Sequence, residues 1–238
     1  AFISKNFVDG IRLRASARTT AKFNPHWFFE GYYAYGTKSH RSYYDAKVTY
    51  SFNKPEYQPI EFPIRTLSFE SNKDVESPSD KYLVHNKDNI FMTFRPVKVE
   101  KMSFINRQKL NFMWETDYGL ATSVELRTES NVPTGKLIYE KMDGSLVDKV
   151  RMTELIVGLD YRPGQSYVNS KQQRMAVNLD APEFKITHTM GIQNFLGSDF
   201  NTNLTEVSVY KRFWLGSWGH VDTRLQAGAQ WNKVPFPF

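Results

Sequence analysis

From Ile11 to Thr19 the odd positions hold Ile11, Leu13, Ala15, Ala17 and Thr19, and the even ones Arg12, Arg14, Ser16 and Arg18. A strict period of two sends neighbouring side chains to opposite faces of an extended strand. After a turn signal at Asn24-Pro25, Trp27, Phe29, Gly31, Tyr33 and Tyr35 share one face, opposite Phe28, Glu30, Tyr32 and Ala34. The two segments predict a hairpin. A third strand sets Ser42, Tyr44, Ala46, Val48, Tyr50 and Phe52 against Arg41, Tyr43, Asp45, Lys47, Thr49 and Ser51.

The alternation continues through Leu67 and Phe69, through Leu110, Phe112 and Trp114, and through Leu120, Thr122, Val124 and Leu126. Later strands are read at Leu155 to Tyr161, Val207 to Val209 and Val221 to Trp231, with weaker segments at Ile90 to Phe94 and Phe184 to Met190. The sum is about ten or eleven strands, several longer than the roughly five or six residues usual in soluble sheets. The links at Lys22 to His26, Asn53 to Glu61 and Asp117 to Gly119 are short, whereas residues 72–89, 131–150 and 162–183 read as long polar loops. Short turns on one side and long loops on the other is an outer-membrane arrangement. No repeat or linker divides residues 1–238, so the whole chain reads as one domain.

Two all-β folds share this pattern. In a soluble sandwich or lipocalin-like barrel the apolar face points inward. In an antiparallel up-and-down transmembrane β-barrel it points to lipid, and the interior stays polar. Small residues such as Ala15, Ala17, Gly31 and Ala46, where a packed core wants bulk, favour lipid. Trp27 and Tyr35 lie eight residues apart on one face, as do Tyr44 and Phe52, a separation of roughly 20 Å along the membrane normal for tilted strands. Those four residues, with Trp114 and Trp231, are the expected aromatic girdle. Arg12, Arg14, Arg18, Lys47, Asp222 and Arg224 are the expected interior charges. Mixed signs suggest an ion-pair lattice; alternatively Arg12, Arg14 and Arg18 line a path for an anionic solute.

Composition sharpens the choice. Aromatics make up 15% of the chain although 24% is charged, and mean hydropathy is −0.53. No apolar run reaches the roughly 18–20 residues of a spanning helix. The absence of cysteine excludes disulfides, thiolate metal sites and a cysteine nucleophile. A net charge of +6 and a pI near 9.3 attract phosphates if clustered on one surface. Aromatics and bases mostly fall on opposite faces, which argues against nucleic acid as a partner.

Little catalytic chemistry is legible. His26, His40, His85, His188 and His220 are scattered and lack the spacing of zinc hydrolases. A rim hydrolase built on His188 or His220 lacks a local motif. Phosphate loops, dinucleotide-binding glycines and nucleophile elbows are absent, so neither a cofactor nor a metal is expected. Asn203-Leu204-Thr205 matches a glycosylation sequon, a triplet short enough to arise by chance.

Longer strings carry more information: GIRLRASARTTAKFNPHWFFEGYYAYGTK, VTYSFNKPEYQPIEFPIR, NLDAPEFKITHT and TEVSVYKRFWLGSWGHVDTRLQAGAQWNKVPFP. They resemble the outer-membrane barrel region of a family of unknown-function proteins that carry an N-terminal carboxypeptidase-regulatory-like domain. The resemblance runs along nearly the whole chain. It implies export to the outer membrane of a Gram-negative bacterium and a barrel preceded by a small periplasmic β-sandwich, with no catalytic residue to transfer. That sandwich does not precede Ala1, and the family's barrel runs past Phe238, so the barrel is expected to be incomplete. Pro235 and Pro237 interrupt the ladder donors that a closing strand needs. Two roles are carried forward: an integral outer-membrane subunit or accessory of an envelope-assembly or other outer-membrane complex, in contact with lipid and lipopolysaccharide, or a solute channel or transporter with a charged lumen.

Overall fold

The structure, a computed structural model, describes residues 3–77, 101–140, 144–171 and 173–234. They form fifteen strands: β1 (Ile3–Asn6), β2 (Gly10–Arg18), β3 (Trp27–Gly36), β4 (Ser42–Ser51), β5 (Arg65–Glu76), β6 (Lys101–Glu115), β7 (Leu120–Gly135), β8 (Tyr139–Glu140), β9 (Leu146–Val147), β10 (Val150–Tyr161), β11 (Tyr167–Asn169), β12 (Arg174–Ala176), β13 (Glu183–Gly191), β14 (Thr202–Trp214) and β15 (His220–Gln230). Eleven of them make one antiparallel sheet in the order β1-β2-β3-β4-β5-β6-β7-β10-β13-β14-β15, while β8–β9 and β11–β12 are separate small hairpins. Each long strand pairs with the next long strand in the chain, so the topology is up-and-down. Among the described residues β1 and β15 are not paired with each other, and the sheet is open.

The expected count holds through an exchange of members. The segment at Ile90 to Phe94 lies outside the described residues, and β1, which carries no clear alternation, takes its place in the total. Strands also run further than their apolar stripes. β5 continues to Glu76 and β7 to Gly135, into stretches read as loop, because backbone pairing persists where both faces have become polar. The remainder of the expected loop at 72–89, from residue 78 on, lies outside the described residues.

One rim of the sheet gathers residues 19–26, 52–64, 116–119, 162–171, 173–182 and 215–219; the other gathers 7–9, 37–41, 136–140, 144–149 and 192–201. We call them the Gly119 rim and the Asp9 rim. The long segment 162–182 thus shares a rim with the short links, and it contains the β11–β12 hairpin. Gly119 has φ +88, and a Cβ there would run into the Arg162 carbonyl, so the tight β6–β7 turn requires glycine. At Gly31 a Cβ would collide with the Asp45 carbonyl oxygen, which accounts for small residues at the register pair Gly31–Ala46.

The two faces are buried in the inverse of the soluble order. Large apolar side chains on one face stand exposed, among them Leu13, Trp27, Phe69, Leu110, Trp114, Leu159, Ile186 and Leu225. On the other face Arg12, Asn72, Glu115, Glu129 and Glu154 are buried. Buried apolar residues gather toward the Asp9 rim in two clusters, Ala34–Tyr43–Val75–Met102 and Leu137–Tyr139–Val150–Met152. The exposed apolar run slides along the strands. On β3 it reaches from Trp27 to Tyr35, on β6 only from Leu110 to Trp114, because the row Gly31–Ala46–Ser71–Gln108–Thr128 turns polar midway. Strands inclined to a common band produce this drift.

Candidate functional site on the polar face

Register brings ionisable residues of seven strands into one row: Arg18, Glu30, Lys47, Glu70, Lys109, Arg127 and Glu154. Within it Lys47 Nζ lies 3.7 Å from Glu30, Lys109 Nζ 3.0 Å from Glu70, and Arg127 Nη2 2.6 Å from Glu154. The next row toward the Asp9 rim adds Arg107, whose Nε donates to Glu129 at 2.5 Å while Nη2 reaches Glu76 at 3.1 Å. Two carboxylates on one guanidinium, with Glu129 also accepting from Asn131, give a compact network whose members depend on one another.

The expected interior charges all face this side, with different partners. Arg12 forks onto Asp74, with Nη1 and Nη2 at 2.5 and 3.0 Å, and the Tyr32 hydroxyl donates to the same carboxylate. Arg14 lies over the Tyr32 ring at 3.6 Å. Arg18 donates to Gln58 Oε1 at 3.3 Å. Asp222 accepts from Arg212 at 2.6 and 2.8 Å, and Arg224 sits over Tyr210 at 5.4 Å. Among the described residues Arg14 and Arg18 meet no carboxylate at ion-pair distance; with Ser16, Glu30, Tyr32 and Asp45 they border a recess of about 440 Å³. Tyr32, Tyr43 and Tyr210 turn toward the arginines of the polar side, so the separation of aromatics from bases is incomplete.

The expected girdle residues divide between the rims. Trp27, Phe52 and Trp114 lie at the Gly119 end of their strands, and Tyr35 and Tyr44 at the Asp9 end, where Trp231 follows β15. At the Gly119 end the rings touch in sequence: Trp27 with Tyr50, Tyr50 with Phe52, and Phe52 with both Phe112 and Trp114.

The periodicity does not reveal the residues at the Gly119 mouth. Glu115 accepts from Arg174 of β12 at 2.6 Å and from the Ile64 N–H at 2.8 Å. Arg162 binds Asp160 and Glu183; burial opposes its charge, but the bond and attraction of Asp160, with Glu183 adding, outweigh it and raise its pKa. No alternation marks Arg174, because it belongs to a three-residue strand inside a polar loop. His188 faces the apolar side and bonds Thr205 Oγ1 at 2.8 Å; His220 is exposed, against Trp214. Among the described residues no group of three potential ligands gathers to hold a metal.

The family model for the C-terminal domain of a family of unknown function, DUF5686, matches residues 99–237, more than half of the chain. The chain belongs to the DUF5686 family. No curated protein matches it. The match begins just before β6 and takes in the rest of the sheet, so the Glu115–Arg174 and Arg107–Glu129 pairs lie inside the DUF5686 C-terminal domain, while Glu76, the second carboxylate on Arg107, precedes it, as do Arg12, Arg14 and Arg18.

Proposed function

We propose that this chain is part of the wall of an outer-membrane β-barrel in a Gram-negative bacterium, its apolar face against lipid and lipopolysaccharide and its charged face toward the interior. The inversion of burial carries the reading: leucine, phenylalanine and tryptophan stand exposed over most of one face while arginine and glutamate are buried on the other. In water such a surface favours aggregation; against hydrocarbon it needs no partner, and the hydrogen-bond ladders between successive strands satisfy backbone groups in a solvent that offers no donors. Ten sheet strands of nine to sixteen residues and the inclined apolar band agree with it. As in the family the sequence resembles, the barrel follows a small periplasmic carboxypeptidase-regulatory-like domain.

Within that wall the chain serves as a subunit or accessory of an envelope-assembly or other outer-membrane complex. The support is the row of paired charges, which stiffens an interior surface without gathering a reactive centre. The test uses the whole natural protein: membrane fractionation, heat-modifiable gel mobility, and quenching of its tryptophans by brominated lipid, followed by gentle extraction and identification of what co-purifies. Recovery in the soluble fraction with unquenched tryptophans overturns the placement; a barrel that purifies alone overturns the accessory role.

A second reading, a solute channel or transporter, draws on Arg14 and Arg18 beside their open recess. Conductance in planar bilayers supports it, and an electrically silent intact barrel rejects it.

A further inference from the structure

Two connections at the Gly119 rim fold inward over the polar face. Glu115, at the end of β6 and 4% exposed, holds both through one oxygen: Oε2 accepts from the Ile64 N–H of the β4–β5 connection and from Arg174 of the β11–β12 hairpin. Gln58, 6% exposed, ties them to each other and to β2. Its Nε2 donates to the Lys171 carbonyl at 2.6 Å, and its Oε1 accepts from Arg18 at 3.3 Å. The Phe62 and Tyr167 rings lie 5.1 Å apart, with the Arg174 guanidinium 3.8 Å from Tyr167.

Beneath this cover lies a cavity of about 250 Å³. Its floor is built from two register rows, Met113–Ser123–Gly158 and Glu115–Ala121–Asp160–Lys185, whose small members leave the space open. Among the described residues the cover is held by hydrogen bonds, ring contacts and the Arg174–Glu115 ion pair, with little apolar burial. Val168, Met175, Val177 and Leu179, on or beside the hairpin, are all exposed. An element with few buried apolar contacts and a void at its back belongs to the part of a fold that opens locally at low cost.

We propose that residues 52–64 and the β11–β12 hairpin form a movable cap over one mouth of the polar interior, with Glu115 as its latch. The proposal rests on the reading that the polar face lines a barrel, and its test keeps the two apart. Ser123→Cys, on the cavity floor, is introduced into the whole natural protein with any other cysteine replaced, and its reaction with a membrane-impermeant maleimide is timed in vesicles. The reaction is slow in the otherwise native protein and at least about tenfold faster when Arg174→Ala or Gln58→Ala is added. Equal rates in all three backgrounds, fast or slow, overturn the cap. Val124→Cys, one residue along and on the opposite face, stays unreactive throughout; ready labelling there sinks the membrane reading whatever the cap does. Heat-modifiable mobility checks each variant, and because Gln58 lies outside the sheet, its arm decides should Arg174→Ala fail to fold.

Discussion

Replacing Val124 by arginine separates the two solvents that its face could meet. Val124 points outward from β7, 38% exposed, with Phe112 and Val157 as its register neighbours on β6 and β10. In water the new side chain extends into solvent, and the cost stays within about 0.5 kcal/mol, as for ordinary surface substitutions. Near the centre of a bilayer an arginine on the lipid face of a barrel costs about 2–4 kcal/mol, falling to about 0–1 at the interface. Trp218, in the β14–β15 connection and 91% exposed, supplies the rim control. The assay is reversible guanidinium unfolding of the whole protein in phosphatidylcholine vesicles. With a slope of about 4 kcal/mol per molar, Val124→Arg lowers the midpoint by about 0.5–1 M, and Trp218→Arg by no more than about 0.25 M. Equal midpoints for the two variants refute the assignment of lipid to this face, since exposure alone ranks Trp218 as the more accessible position.

Arg12 and Arg14 sit two residues apart on one strand and differ sharply in what they hold. Arg12→Ala leaves the half-buried Asp74 carboxylate with the Tyr32 hydroxyl but without its counterion and is expected to cost about 2–4 kcal/mol, whereas Arg14→Ala removes a contact over the Tyr32 ring and costs about 0.5–1 kcal/mol; comparable unfolding midpoints for the two contradict the pairing. Gly31→Ala drives a methyl into the Asp45 backbone and is expected to cost about 1–3 kcal/mol by the same measurement, and a neutral result means that the β3–β4 approach is looser than described.

The faces of the sheet are legible in the sequence because a period of two needs no long-range information: the alternation at Ile11–Thr19 and Val221–Trp231 is enough to assign sides. Strand ends are less so. Thr128 to Gly135 and Lys101 to Gln108 are polar on much of both faces, yet the ladder between β6 and β7 continues through them. Partners are least legible, because parity says that Arg12 and Asp74 share a side but not that β2 and β5 approach across it. Arg174 is invisible for a related reason: a short hairpin within a polar loop has too few residues to show a period. The charges themselves are legible by type and face, whereas their pairing depends on register.

Apolar alternation tolerates one kind of assembly error, a slip of two residues, which returns every side chain to its proper side. The charged row removes that tolerance. Shifted by two, Glu30 faces Asp45 or Thr49 instead of Lys47, and Arg127 faces Met152 or Ile156 instead of Glu154, each leaving an ion without its counterion on the less solvated side of the sheet. Proofreading of strand alignment therefore falls to the polar residues, and a variant that neutralised the whole row would be expected to mispair while keeping its apolar face intact.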